Sequence, residues 1–194
     1  MESKNKRIRR RRGVKRLILI LGGARSGKSS YVVELAKRLS KRVVCIATAI
    51  SPDEEMKERI KIHKSLRPRQ WKVIEEGKDI SSVLPKLKGK YEVVLIDCLG
   101  LLVSNLLADN LEDKEIVVRI EKLIDSILQV KLTTILVSNE VGGGIVPDNL
   151  LARRFRDLLG LANQMIARNA DEVIFMQAGI PLRIKGGLKD AEIS

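Results

Sequence analysis

The sequence predicts an α/β fold, with a mostly parallel central sheet and helices on both faces. Three observations predict it. Short runs of aliphatic and β-branched residues, apolar throughout, recur along the 194-residue chain. Segments with helical periodicity separate them, as parallel strands joined by crossover helices require. With 44% hydrophobic and 31% charged residues, the chain can bury a core and does not read as disordered or fibrous.

The elements follow in order. Leu17–Leu21 reads as a first strand that stops at Gly22-Gly23, and Ser29–Leu39 as a helix with Tyr31, Leu35 and Leu39 on one side. Arg42–Ala47 is a second β-branched run. Asp53–Leu66 is strongly charged, with Met56, Ile60 and His63 at helical spacing. Trp71–Ile74 suggests a short strand, Ile80–Leu87 a short helix, and Tyr91–Ile96 is the clearest buried strand. Leu111–Leu128 repeats Ile116, Ile120, Leu123 and Ile127 at spacings of three and four, an amphipathic helix. Thr133–Val137 is another strand, followed by a glycine-rich loop over Val141–Pro147. Leu151, Phe155, Leu158, Ala162, Met165 and Ile166 mark one face of a long helix within Asp148–Ala170. Val173–Met176 and Leu182–Ile184 close the chain as strands. There is no internal repeat or linker, so residues 17–194 are expected to form one domain behind a basic extension, residues 1–16.

The net charge of +13 is concentrated in that extension, which carries nine Lys or Arg against one Glu. Arg9–Arg12 would attract polyanions. Aromatic residues are only 3% of the chain, however, too few for a platform that stacks single strands. Nucleic acid is therefore disfavoured as a partner, and a solvated extension is expected. No apolar run reaches the roughly 18–20 residues of a membrane span, and Leu17–Leu21 is too short for a signal-peptide core. Cys45 and Cys98 lie in or beside apolar runs and read as buried, reduced thiols. These features suggest a cytoplasmic protein without a membrane partner.

Gly22-Gly23-Ala24-Arg25-Ser26-Gly27-Lys28-Ser29 matches G-x-x-x-x-G-K-[ST] at every fixed position, between a short strand and a helix. Glycines let the backbone curl until successive N–H groups point into one concavity, and the helix N-terminus adds partial positive charge. Lys28 is expected to reach the β/γ-phosphates and Ser29 to bind Mg²⁺. Asp97 ends the strand Tyr91–Ile96, at the edge where open α/β sheets bind ligands. A carboxylate there suits Mg²⁺, directly or through water. The expectation is a P-loop NTPase fold of the RecA-like kind.

His63 is the only histidine. A lone His on a charged helix is ordinarily a surface residue, and one His argues against zinc chemistry. Its neighbours Lys64 and Arg67 would nevertheless keep the imidazole unprotonated and neutralise an incoming phosphate, which a phosphorus-directed nucleophile needs.

With these residues on the page, the chain resembles one family closely. The likeness rests on Gly22–Ser29, Ile46–Ala49, Asp53–His63 with Arg67, Trp71 and Glu75, Asp97–Leu107, Val137–Gly160, Asn163-Gln164 and Ala178–Pro181. The family is that of bifunctional adenosylcobinamide kinase/adenosylcobinamide-phosphate guanylyltransferases of cobalamin biosynthesis, and the resemblance covers about residues 17–185. It implies phosphorylation of the aminopropanol hydroxyl of adenosylcobinamide with ATP or GTP, then transfer of GMP from GTP through a covalent histidine–GMP intermediate. It makes His63 the guanylyl acceptor and Lys28 the second catalytic residue, with Ser29 and Asp97 on Mg²⁺. Nucleotide contacts are implied for Gly22, Gly23, Ala24, Arg25, Ser26, Gly27, Lys28, Ser29 and Ser30. Ala47, Thr48, Ala49, Lys64, Ser65, Leu66, Arg67, Glu75 and Asp97 join them, and a homotrimer is implied.

Asn139-Glu140 would fall at the sheet's carboxyl edge. Gly142–Gly144 reads either as a flap over the corrin substrate or as a plain loop. Arg153, Arg154 and Arg156 read as solvent or subunit contacts. Gly100 and Leu102 stand where the family commonly has a larger polar residue and an aromatic, which concerns packing. The competing readings are a kinase or nucleotidyl transferase acting on another alcohol, and a P-loop regulatory or nucleic-acid-binding ATPase.

Overall fold

The computed structural model describes residues 15–50 and 67–186. The basic stretch 1–14 and the charged segment 51–66, with His63, Lys64, Ser65 and Leu66, lie outside the described residues, as do 187–194.

The strands are β1 (Leu17–Gly22), β2 (Val43–Ala47), β3 (Lys72–Glu75), β4 (Val93–Asp97), β5 (Thr133–Val137), β6 (Glu172–Gln177) and β7 (Ile180–Lys185). They form one sheet in the order β3-β2-β4-β5-β1-β6-β7. All neighbours run parallel except β6 and β7, which make an antiparallel hairpin. The helices are α1 (Lys28–Leu39), α2 (Ile80–Val83), α3 (Leu99–Ala108), α4 (Asp113–Val130) and α5 (Leu150–Asn169).

Side chains alternate across each strand, so one strand feeds two cores. Ile18, Ile20, Leu95, Ile135 and Val137 face α1, which contributes Val32, Val33 and Ala36. Leu17, Leu19, Leu21, Val44, Ile46, Val94, Ile96 and Leu136 face the larger cluster with α2 to α5. Both faces are thus covered, as the fully apolar strands require. Each fully buried Leu or Ile contributes about 1.5–3 kcal/mol relative to exposure.

Several expected elements change at their ends for identifiable reasons. Ile80–Leu87 is divided into α2 and a 3₁₀ turn over Leu84–Leu87, where Pro85 lacks the N–H that a continuing α-helix would use. The start of α4 moves to Asp113 because Glu112 and Glu115 form a capping box. The side chain of Asn149 caps α5 by accepting from the N–H of Ala152 at 3.0 Å. α3 was not anticipated as an element: its LGLLVSNLLA run is apolar nearly all round and carries no amphipathic period. Gly100 and Leu102 are buried within it, and a Cβ at Gly100 would stand 3.6 Å from Leu159, an ordinary contact.

Arg16, at the end of the basic stretch, belongs to the folded sheet. Its carbonyl accepts from Thr134 N–H at 2.8 Å and its guanidinium pairs with Glu172 at 2.6 Å. No helix among the described residues is long and apolar enough to cross a membrane.

One polar residue ties α3 to the sheet's carboxyl edge. The Asn105 amide donates to Thr48 O at 2.8 Å and to Gly77 O at 2.9 Å, cross-linking the chain after β2 and after β3. Asn105→Ala leaves both carbonyls without that donor, and urea unfolding should register a loss of about 1–3 kcal/mol. An unchanged midpoint would show that the cross-link holds nothing.

Candidate active site

The register of the parallel strands sets the geometry. Glu75 pairs with Ala47, Ala47 with Asp97, and Asp97 with Val137, so four strand ends lie in one row. Ile20 on β1 pairs with Val137, and two residues later β1 ends at Gly22, where the phosphate loop begins. Sequence-predicted Glu75, Ala47, Asp97 and Gly22 are thereby brought to one edge of one sheet. Backbone bonds extend the row: Thr48 N–H donates to Asp97 O at 3.0 Å, and Glu140 N–H to Gly22 O at 3.1 Å.

The phosphate loop folds between β1 and α1, with Gly27 at φ +92° capping the helix. Gly27 favours glycine for its left-handed backbone, and the space around it is tight. A Cβ there would lie 3.1 Å from Gly179 Cα, in the turn between β6 and β7. That turn holds Ala178 and Gly179 at φ +50° and +82°, as a two-residue hairpin of type I′ requires. Gly179 N–H donates to Ser26 O at 3.0 Å, so the hairpin braces the loop from behind. Ala24, Arg25 and Ser30 are exposed on the loop and first helical turn.

Lys28 is 9% exposed and turns back onto its own loop. Its Nζ donates to Gly22 O at 2.8 Å, to Gly23 O at 2.6 Å and more distantly to Ser26 Oγ at 3.5 Å. Burial lowers its pKa from the usual 10.5, while the nearby Cys98 and Asp97 oppose the shift. A cation held on three neutral acceptors has a strong reason to accept anionic oxygens instead.

Asp97 is paired with Arg67 at 2.6 Å, both side chains largely buried. The sequence gives Arg67 a share in keeping His63 unprotonated; in the structure its charge is met by Asp97. Thr48 is fully buried and all of its polar groups are engaged within the protein. Its hydroxyl donates to Cys98 O at 2.8 Å and accepts from Cys98 N–H at 2.7 Å, while Asn105 occupies its carbonyl. Thr48 therefore locks β2 to β4, and half-buried Ala49 follows it along the edge. Cys45 and Cys98 are free and buried, and desolvation pushes their pKa values up to about 12 and about 11. They remain neutral thiols at physiological pH, as expected.

Beyond Asp97, a cavity of about 540 Å³ is lined by Arg67, Pro68, Arg69, Trp71, Val73 and Glu75. Its volume falls within the range of small-molecule sites. Hard oxygen donors for a divalent cation are present in Ser29, on the first turn of α1, and in Asp97. Among the described residues no cluster of three or more His, Cys, Asp or Glu could hold a metal alone. Such a donor set fits a cation that arrives on phosphates and takes one or two protein oxygens.

The sequence missed the bracing of the glycine-rich loop. Arg153 donates to Pro147 O and Asp148 O at 2.9 and 2.7 Å, and Arg156 to Gly142 O at 2.5 Å. Arg154 pairs with Asp113, also at 2.5 Å. These arginines make intramolecular ties while staying partly exposed to solvent, and helical periodicity does not reveal such ties. Asn163, 6% exposed, fixes the start of the same loop by donating to Asn139 O at 3.0 Å.

Residues 18–184 match the family model described as cobinamide kinase / cobinamide phosphate guanyltransferase. The chain belongs to that family. Curated relatives agree over nearly their whole lengths. The bifunctional adenosylcobalamin biosynthesis protein CobU of Escherichia coli is 38% identical, covering 87% of this chain and 99% of its own. The protein CobP of Pseudomonas aeruginosa, with the same bifunctional description, is 39% identical over 87% and 96%. Among solved structures, an ATPase domain is similar at 15% identity with a TM-score of 0.49, covering 84% of this chain and 69% of its own. In this family member Gly22–Ser29 and Asp97 lie at strand ends of one sheet edge, with β5 between them.

Lys28→Met tests that centre in two ways. Loss of a charge-assisted contact of about 1.5–3 kcal/mol should weaken Mg²⁺–GTP binding about 10- to 100-fold, read with a fluorescent GTP analogue. The pH dependence follows from the lowered pKa. Folded Lys28 loses its proton before the unfolded chain does, so unfolding takes up a proton in that window. Wild-type stability should therefore rise, relative to Lys28→Met, as pH climbs toward 10.5. A flat difference would mean that Lys28 is not desolvated.

Proposed function

We propose that this chain phosphorylates the aminopropanol hydroxyl of adenosylcobinamide with ATP or GTP, and then transfers GMP from GTP to the resulting phosphate. The observation that carries this reading is the single row of strand ends. It supports the reading because Gly22–Ser29, the Asp97 carboxylate and the cavity that Glu75 helps to line share one edge of a chain belonging to this family.

In the first reaction the acceptor hydroxyl oxygen attacks the γ-phosphorus, the bond to the β-bridging oxygen breaks, and the hydroxyl proton leaves. Lys28 and the loop N–H groups hold the β- and γ-phosphates in line. Ser29 and Asp97 would hold Mg²⁺, which when bound neutralises charge on the phosphates. In the second reaction an unprotonated nitrogen of His63 attacks the α-phosphorus of GTP, and pyrophosphate departs. A phosphate oxygen of adenosylcobinamide phosphate then attacks the same phosphorus, and the N–P bond breaks. His63 lies outside the described residues, so its role rests on the sequence. Lys64, Ser65, Leu66 and Arg67, next to it in the chain, are assigned to the same nucleotide. The Glu75 carboxylate accepts hydrogen bonds only, which suits the N1–H and amino donors of guanine and not the acceptor N1 of adenine.

His63→Ala should abolish the covalent GMP adduct, read by intact mass after incubation with GTP and Mg²⁺. Phosphorylation of adenosylcobinamide should persist, because it needs positioning and not a covalent intermediate. Adenosyl-GDP-cobinamide formed at the wild-type rate by His63→Ala would remove His63 from the mechanism.

The assembly assigned to this function is a homotrimer. β7 supports it, as an edge strand exposing Ile180, Leu182 and Ile184 in alternation. Leu182→Glu should sediment as a smaller species than wild type; a wild-type protein that sediments as a monomer overturns the assignment.

A further inference from the structure

The glycine-rich loop after β5 presents an apolar surface that nothing in the described chain covers. Ile145 is 96% exposed, Val146 62%, Leu150 66% and Leu151 55%, all within one short stretch of chain. Their exposure does not come from a slack loop. Glu140 N–H is bonded to Gly22 O, and the Glu140 carboxylate accepts from Gly142 N–H at 2.6 Å. Arg156 holds Gly142 O, Arg153 holds Pro147 O and Asp148 O, and Asn149 caps the helix that follows. The backbone is fixed with its apolar side chains outward, an arrangement that favours a docking surface over a collapsed loop.

The glycines point the same way. A Cβ added at Gly143 or at Gly144 would meet nothing within 4 Å, and neither has a left-handed φ. Neither internal packing nor backbone strain therefore calls for glycine at these positions. The bare backbone there leaves room for a ligand to approach closely.

We propose that the segment 141–151 is the docking surface for the corrin ring of the acceptor, a reading that rests on the function proposed above. The corrin macrocycle offers a broad apolar face rimmed by amide arms, and its hydroxyl sits at the end of a flexible arm. Ile145, Val146, Leu150 and Leu151 match the face, and the open backbone at Gly143 and Gly144 can meet the amides. The loop is rooted on Gly22, the first residue of the phosphate loop, so a ring docked there can extend its arm toward a bound γ-phosphate. A second copy of the chain is the competing occupant. Its case is weaker, because the surface borders the phosphate loop while β7 offers a separate apolar edge.

The full chain and its double variant Ile145→Ser/Val146→Ser test this by equilibrium dialysis against adenosylcobinamide, followed by its own visible absorbance. The dissociation constant should rise at least about tenfold. GTP-dependent self-labelling, which needs no corrinoid, and the sedimentation coefficient should stay at wild-type values. Gly143→Val, which adds bulk to an open backbone, should weaken corrinoid binding in the same way. Equal corrinoid affinity in wild type and both variants overturns the docking assignment alone. A changed sedimentation coefficient in the double variant also overturns it, assigning the surface to a second copy. A wild-type protein that self-labels with GTP yet binds no corrinoid overturns the proposed function and this inference together.

Discussion

The phosphate loop can gather its N–H groups around an anion only if something behind it fixes the curl, and here the β6–β7 hairpin does so. The contact is backbone against backbone: Gly179 N–H on Ser26 O at 3.0 Å, with a Cβ at Gly27 falling 3.1 Å from Gly179 Cα, a tight contact. Two elements that supply no phosphate ligand thus decide whether the loop is preorganised. The hairpin turn must place two consecutive residues at positive φ for this to work, and Ala178 accepts that conformation beside Gly179. A parallel strand β6 on one side of β1 and β5 on the other leave β1 no freedom to shift.

Charge is arranged on the same principle of internal stand-ins. Lys28 rests on the carbonyls of Gly22 and Gly23, and Asp97 on the guanidinium of Arg67. Desolvation of these groups is largely complete before any ligand arrives, so binding exchanges partners and does not strip water from bare ions. The exchange is favourable at Lys28, where neutral acceptors give way to anionic oxygens. Asp97 differs, because its partner Arg67 is already a full cation.

Much of this was legible in the sequence, for reasons that particular residues make plain. Apolar strands such as Leu17–Leu21 and the glycine-punctuated run Gly22–Ser29 announce themselves because period and motif are local properties. α3 was missed because a helix buried on nearly all sides has no amphipathic period to read. The loop ties of Arg153 and Arg156 were not legible because an arginine that ties a loop carbonyl and one that only faces solvent occupy the same helical positions. The engagement of Thr48 with Cys98 was invisible, since it joins residues fifty positions apart. Glu75, Ala47 and Asp97 could each be named from motif resemblance; that they share one row is a property of strand register, which no single segment encodes.

The row of strand ends on this sheet has the length of a nucleoside triphosphate. From β1 to β3 the order crosses β5, β4 and β2, four strand spacings, or about 19 Å at the usual separation. That span is comparable with an extended nucleoside triphosphate lying along the row, terminal phosphates in the loop and base toward the cavity at β3. The loop at the β1 end adjoins the clamped loop after β5 through the Glu140–Gly22 bond. Asp97 stands farther along the row, and Ala47 beyond it, where the chain leaves β2. The sheet order, which no motif records, thus sets the Gly22–Ser29 loop, Asp97 and the cavity at Glu75 along one edge in that sequence.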